Sequence, residues 1–170
     1  MRRLALSVAL ALLASLALAD AVVNVPKGDP EMAAAFAKAR ASLGGFLEKL
    51  RHPPAGTENF SVKVGFSDAA NGSGYAIVNP GAGSDKVEYF WMVGIKETAS
   101  GFTAAIGNGP EIVKSVREGQ VVAFQRAQIA DWMYFEGGKI KGNYTMCPLL
   151  SRMGEAEAQE MRVKFGTECR

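Results

Sequence analysis

Few residues in this chain combine types that chemistry can use. Asp131 lies in the run Gln128-Ile129-Ala130-Asp131-Trp132-Met133-Tyr134-Phe135, and a second polar run, Gly142-Asn143-Tyr144-Thr145, follows close behind. A carboxylate amid so much apolar surface must find hydrogen-bond donors or stay at a rim, because burying it unpaired is very costly. Two roles are therefore open to Asp131. It either accepts backbone N–H bonds at a turn or bulge, or it lines a binding wall with Trp132, Tyr134, Tyr144 and Glu88. Glu88, Asp131 and Glu136 are the carboxylates nearest this aromatic centre. A pair held at suitable separation could hydrolyse glycosides, which makes a carboxylate-dependent hydrolase the enzymatic alternative.

Other chemistries find little support. His52 is the sole histidine and stands beside Pro53 and Pro54 at an expected helix end. A serine or cysteine triad needs a histidine held by a partner, and histidine-based zinc sites need more ligands than this. Gly72-Ser73-Gly74 and Gly81-Ala82-Gly83 resemble phosphate loops only superficially, since neither lies between a clear strand and a helix. No catalytic residue, metal set or cofactor is assigned.

The chain ends carry information on compartment. Arg2 and Arg3 precede an uncharged apolar run, Leu4 to Leu18, followed by small residues at Ala17 and Ala19. This is the pattern of a cleaved secretory leader, with cleavage after Ala19 or Ala21. The run is short for a membrane span, which needs about 20 apolar residues. A periplasmic or secreted protein with no stable membrane anchor follows. Losing Arg2 and Arg3 brings the formal charge of +2 close to zero, so electrostatics make no case for nucleic acid or anionic lipid. Cys147 and Cys169 are the only cysteines, and an even count in an oxidising compartment points to a disulfide between them. Such a bridge would pin the C-terminal segment to the strand following the aromatic centre.

The 170 residues divide into a leader at 1–19, an extended lead at 20–28 and a single domain at 29–170. Asp29-Pro30-Glu31 reads as a helix start, with apolar residues recurring at Met32, Phe36, Ala39, Leu43, Phe46, Leu47 and Leu50 before His52-Pro53-Pro54 stops it. Phe60, Val62, Val64 and Phe66 alternate as in a half-buried strand. Asp68 to Asp85 reads as loop around a short strand at Tyr75–Val78. Val87, Tyr89, Trp91, Val93 and Ile95 form the inward set of a central strand whose other face, with Phe90 and Met92, is also covered. Tyr89 and Trp91 are taken as core. Strands follow at Phe102–Ile106, Val121–Gln125, Ile129–Phe135 and Ile140–Tyr144, the last two joined by a Gly137-Gly138 hairpin that would set Tyr134 against Tyr144. A last helix begins near Gly154 or Glu155. The fold class is α+β: a bent, mostly antiparallel sheet with an amphipathic N-terminal helix packed on it and a short C-terminal helix.

Phe60-Ser61-Val62-Lys63-Val64-Gly65-Phe66, Glu88-Tyr89-Phe90-Trp91-Met92-Val93, Ile129-Ala130-Asp131-Trp132-Met133-Tyr134 and Gly142-Asn143-Tyr144-Thr145 together resemble the YegJ-like bacterial proteins, the domain of unknown function 2314. The resemblance covers about 33–150 and implies a small bacterial domain, often exported, with no activity, cofactor or catalytic residue to carry over. The expectation is an exported, non-catalytic binding module of the periplasm or cell envelope, whose ligand is a protein, peptide or glycan. Its rival is a hydrolase of envelope material acting through Glu88 and Asp131.

Overall fold

The computed structural model describes residues 26, 28–72, 74–82, 86–167 and 169. The leader, both cleavage positions and most of the lead lie outside the described residues. Helix α1 spans Pro30–Arg51. The Asp29 carboxylate accepts the Met32 N–H at 2.8 Å, Pro30 opens the first turn, and His52 closes the last. Gly44-Gly45 does not interrupt it, because Ala39, Leu43, Phe46 and Leu47 are buried in the core and packing outweighs the glycines' poor propensity.

Seven strands form one antiparallel sheet: β1 Thr57–Asp68, β2 Tyr75–Val78, β3 Glu88–Thr98, β4 Gly101–Ile106, β5 Val121–Phe124, β6 Ile129–Glu136 and β7 Lys139–Gly142. Their order is β5-β4-β3-β1-β6-β7, with β2 pairing the far end of β1 beyond the reach of β6. β1 is thus the axis of the sheet. Val62 stands between Met92 and Trp132, and Val64 faces Phe90. With Phe66, Phe102, Ala104 and Ile106, these residues form the core face.

That register corrects the expected phase of β3. Tyr89 and Trp91 are half-buried on the face opposite the core and Val93 is 40% exposed, while Phe90 and Met92 are fully buried. Both sets are apolar, so local pattern does not choose between them. The choice is made by pairing with Val62 and Val64, whose side chains already point into the core. The central position of β3, between β1 and β4, agrees with the expectation.

Gly137 and Gly138, both at positive φ, make the two-residue turn of the β6–β7 hairpin. β7 stops at Gly142, short of the expected Tyr144, and an unforeseen helix, α2 (Met146–Leu150), follows. Tyr134 consequently pairs with Lys141 across the hairpin, not with Tyr144. Helix α3 covers Glu155–Phe165 and buries Ala158. Cys147 and Cys169 form the disulfide, with Cα atoms 5.4 Å apart. It ties the end of the chain to α2 instead of to a strand. Arg152 adds a clamp from this segment to Asp29 and Glu31 at the start of α1.

Candidate functional site

A bulge creates the centre of the molecule. Lys63 pairs with Asp131 but Val64 pairs with Ile129, so Ala130 is an extra residue in β6. Trp132 stays on the core face while Asp131 points away from it. The register places Trp91, Lys63 and Asp131 side by side across β3, β1 and β6.

The donors that Asp131 needs come from beyond the hairpin. Gly142 at φ +82° and Asn143 at φ +54° turn the chain sharply out of β7, and the Asn143 N–H donates to the Trp132 carbonyl at 2.8 Å. Only glycine fits at 142, where a Cβ would stand 2.2 Å from the Trp132 carbonyl oxygen and 2.5 Å from its indole ring. The turn brings Thr145 onto the carboxylate. Asp131 Oδ2 accepts the Thr145 N–H at 2.8 Å and its Oγ1 hydroxyl at 2.7 Å, and Oδ1 accepts the Trp132 N–H at 2.8 Å. Lys63 Nζ in turn donates to Thr145 Oγ1 at 2.6 Å and stands 4.5 Å from the centre of the Trp91 ring. One hydroxyl therefore bridges an ammonium and a carboxylate, accepting from the first and donating to the second.

Electrostatics in this cage are set first by burial, which raises the pKa of Asp131 and lowers that of Lys63; their mutual attraction opposes both shifts. Every hydrogen bond to Asp131 comes from a donor, so the cage is built around the ionised carboxylate. Asp131 is fully buried and Thr145 is 2% exposed.

The aromatics complete the lock. The Trp132 indole N–H donates to the Ala39 carbonyl of α1 at 3.0 Å, and its ring stacks on Phe46 at 5.2 Å. Tyr134 stacks on Phe60, and Tyr144 meets Trp132 edge-on at 5.5 Å. Asp131, Trp132, Tyr134 and Tyr144 thus share one cluster, of which only Tyr144 keeps a half-exposed side chain.

Glu88 does not join it. Its Oε1 accepts the Glu111 N–H, and its Oε2 the N–H groups of Ile112 and Val113, all at 2.8–2.9 Å. Asp68 holds the next residues in the same way, through the N–H groups of Lys114 and Ser115 and the Ser115 hydroxyl. Those bonds, the Ser115 hydroxyl foremost, keep the Asp68 pKa below its ordinary value. These two acids anchor the irregular 111–116 segment, where Val113 and Val116 enter the core. The oxygens of Glu88 and Asp131 are engaged by backbone and threonine donors, an arrangement unlike the substrate-facing carboxyl pair of a glycoside hydrolase. Among the described residues no group of three or more His, Cys, Asp or Glu is placed to hold a metal ion.

Sequence reasoning passed over Lys63 and Thr145 as site residues. Their signals were present: a lysine midway along an otherwise apolar alternating strand, and a hydroxyl closing the Gly-Asn-Tyr-Thr turn.

The fold and the cage define an α+β domain, and the chain belongs to the family described as an uncharacterized protein conserved in bacteria, DUF2314, whose model matches residues 29–169. The match extends past the expected 33–150 at both ends and takes in α3 and Cys169. A relative is the uncharacterized protein YegJ of Escherichia coli (strain K12), 32% identical over 118 residues, or 69% of this chain and 75% of that protein. No solved structure matches the chain. Among the described residues no helix is long and apolar enough to cross a membrane.

Proposed function

We propose that this protein is an exported, non-catalytic binding module of the bacterial periplasm or cell envelope, working as a single domain after loss of its leader. The observation that carries the reading is the Cys147–Cys169 disulfide, a bond that persists in oxidising compartments and accords with the leader pattern at 1–19. The binding role is supported by the way the acids are used. Glu88 and Asp131 hold backbone in place, so surface recognition accounts for the fold better than hydrolysis does. The ligand would be a protein, peptide or glycan, and the near-neutral mature chain gives no reason to expect nucleic acid.

Expression of the full chain in a bacterial host, followed by periplasmic fractionation and intact mass, tests the compartment. The expected product starts at Asp20 or Val22 and has the mass of the oxidised form; intact Met1 on a soluble, reduced protein would overturn it. Thermal shifts of that product against envelope peptides and glycans test binding, because a ligand of the native state raises Tm by mass action. Turnover of any of them without a shift would favour the hydrolase instead.

A further inference from the structure

The residues of the Asp131 cage are saturated, but two arginines elsewhere are not. A groove of about 610 Å³ runs between α1 and the turns at the ends of β3 and β5, lined by Arg40, Leu43, Ser100, Gly101, Gln125 and Arg126 among others, with no acidic residue in the lining. A second hollow of about 360 Å³ shares Ser100 and Gln125 with it and adds Phe102 and Phe124. Among the described residues neither Arg40 nor Arg126 makes an ion pair or side-chain hydrogen bond, nor does Arg117 outside the groove, whereas Arg51, Arg152 and Arg162 are each matched to a carboxylate.

Gly44 brings the two arginines onto one patch. Arg126 Nη2 lies 3.8 Å from where a Gly44 Cβ would stand, so the absent side chain leaves the guanidinium lying along the helix. Arg40 is four residues before Gly44, one turn away on the same face. Both cations rise from rigid supports. Arg40 belongs to the middle of α1. Arg126 opens a 3-10 turn, Arg126–Gln128, in which the Gln125 N–H donates to Gln128 Oε1 at 2.7 Å and the Gln128 N–H returns to the Gln125 carbonyl at 3.0 Å. Two like charges held together without a counter-charge repel, and an anion between them removes that cost. Guanidinium forks match carboxylate and phosphate oxygens in particular.

We propose that this groove is a binding site for an oxyanion, the carboxylate or phosphate group of a small-molecule ligand, held between Arg40 and Arg126 with Leu43 against its apolar part. It goes beyond the protein, peptide or glycan ligand of that reading by adding a small-molecule site, and it rests on the binding-module reading only in requiring a ligand, not a compartment.

The test titrates inorganic phosphate and citrate separately into the disulfide-bonded mature chain, following heat and the arginine Nε–Hε resonances. Saturable binding is expected, with the Arg126 resonance shifting, and the stronger anion shows whether phosphate or carboxylate is the native chemistry. Arg40→Gln and Arg126→Gln should each weaken binding by about tenfold or more, the loss of a charged hydrogen bond. Arg162→Gln, which removes the same charge outside the groove, should bind as the parent does. Gly44→Asp places a tethered carboxylate beside Arg126 and should block binding, with an unchanged circular-dichroism spectrum showing that the chain still folds. No saturable binding of either anion, retention of affinity in both groove variants, or an equal loss in Arg162→Gln would overturn the proposal. A negative titration beside positive thermal shifts with envelope ligands sinks the groove alone, and the opposite pair of results sinks only the envelope-ligand reading.

Discussion

Asp131→Asn changes almost no volume and tests whether the cage stabilises the fold. The carboxylate accepts three hydrogen bonds, one on Oδ1 and two on Oδ2. An asparagine keeps most by turning its oxygen toward Thr145, which leaves its amide nitrogen facing the Trp132 N–H across 2.8 Å. That buried donor then has no acceptor, at a cost of about 1–3 kcal/mol. The Thr145 hydroxyl also exchanges an ionised acceptor for a neutral one, and Lys63 loses its counter-charge, together about 1 kcal/mol. The expected destabilisation is about 2–4 kcal/mol. In urea, with a slope of about 2 kcal/mol per molar, the midpoint should fall by about 1–2 M at unchanged slope. A cycle with Lys63→Met should show coupling of about 1 kcal/mol between the two sites, since Thr145 Oγ1 links them. A midpoint loss worth less than about 0.5 kcal/mol, the range of ordinary surface changes, would refute the lock.

Trp132→Ala should cost about 3–5 kcal/mol in the same melts, because it empties the space under Phe46 and removes the indole bond to the Ala39 carbonyl. Gly45→Ala should instead stabilise by about 0.5–1 kcal/mol, since its added methyl would meet nothing within 4 Å in the middle of α1. Reduction of Cys147–Cys169 should lower stability by about 3 kcal/mol for a loop of this length, and equal Tm values with and without reductant would contradict that. For pH, the folded state depresses the pKa of Asp68, so the stability it contributes is present above the ordinary value of 3.8 and is lost as pH falls through the folded one. Asp68→Asn should accordingly flatten the acid limb of a Tm-against-pH curve below about pH 4, and an unaltered limb would show that the Ser115 and Lys114 bonds are not what holds that loop.

Much of the frame was legible because local signals agreed with the final packing. Asp29-Pro30 began α1, Val62, Val64 and Phe66 went into the core, and Gly137-Gly138 made the hairpin. β3 was misphased for a physical reason. Its two faces are both apolar, and only the register with β1, set by residues some thirty positions earlier in the chain, selects Phe90 and Met92. At Asp131 the need for donors was readable from the apolar company it keeps, but their identity was not. Thr145 is 14 residues on and reaches the carboxylate only because Gly142 and Asn143 both take positive φ. Lys63 lies 82 residues from the hydroxyl it bonds, a separation no window-based pattern spans. The groove arginines were hidden likewise, since Arg40 and Arg126 become neighbours only when α1 docks.

The placement of Thr145, Arg152 and Cys169 after β7 also fixes the order in which these contacts can form. A polypeptide delivered N-terminus first presents Lys63 and then Asp131 before either has its bridging hydroxyl, and Cys147 before its partner thiol. Until Thr145 arrives the sheet carries an uncaged charge pair, and until Cys169 arrives Cys147 stays a free sulfhydryl. A chain cut short after α2 would keep every strand and still lack Arg152 and Cys169, leaving a free Cys147 thiol by which a thiol oxidase could tell such copies from finished ones.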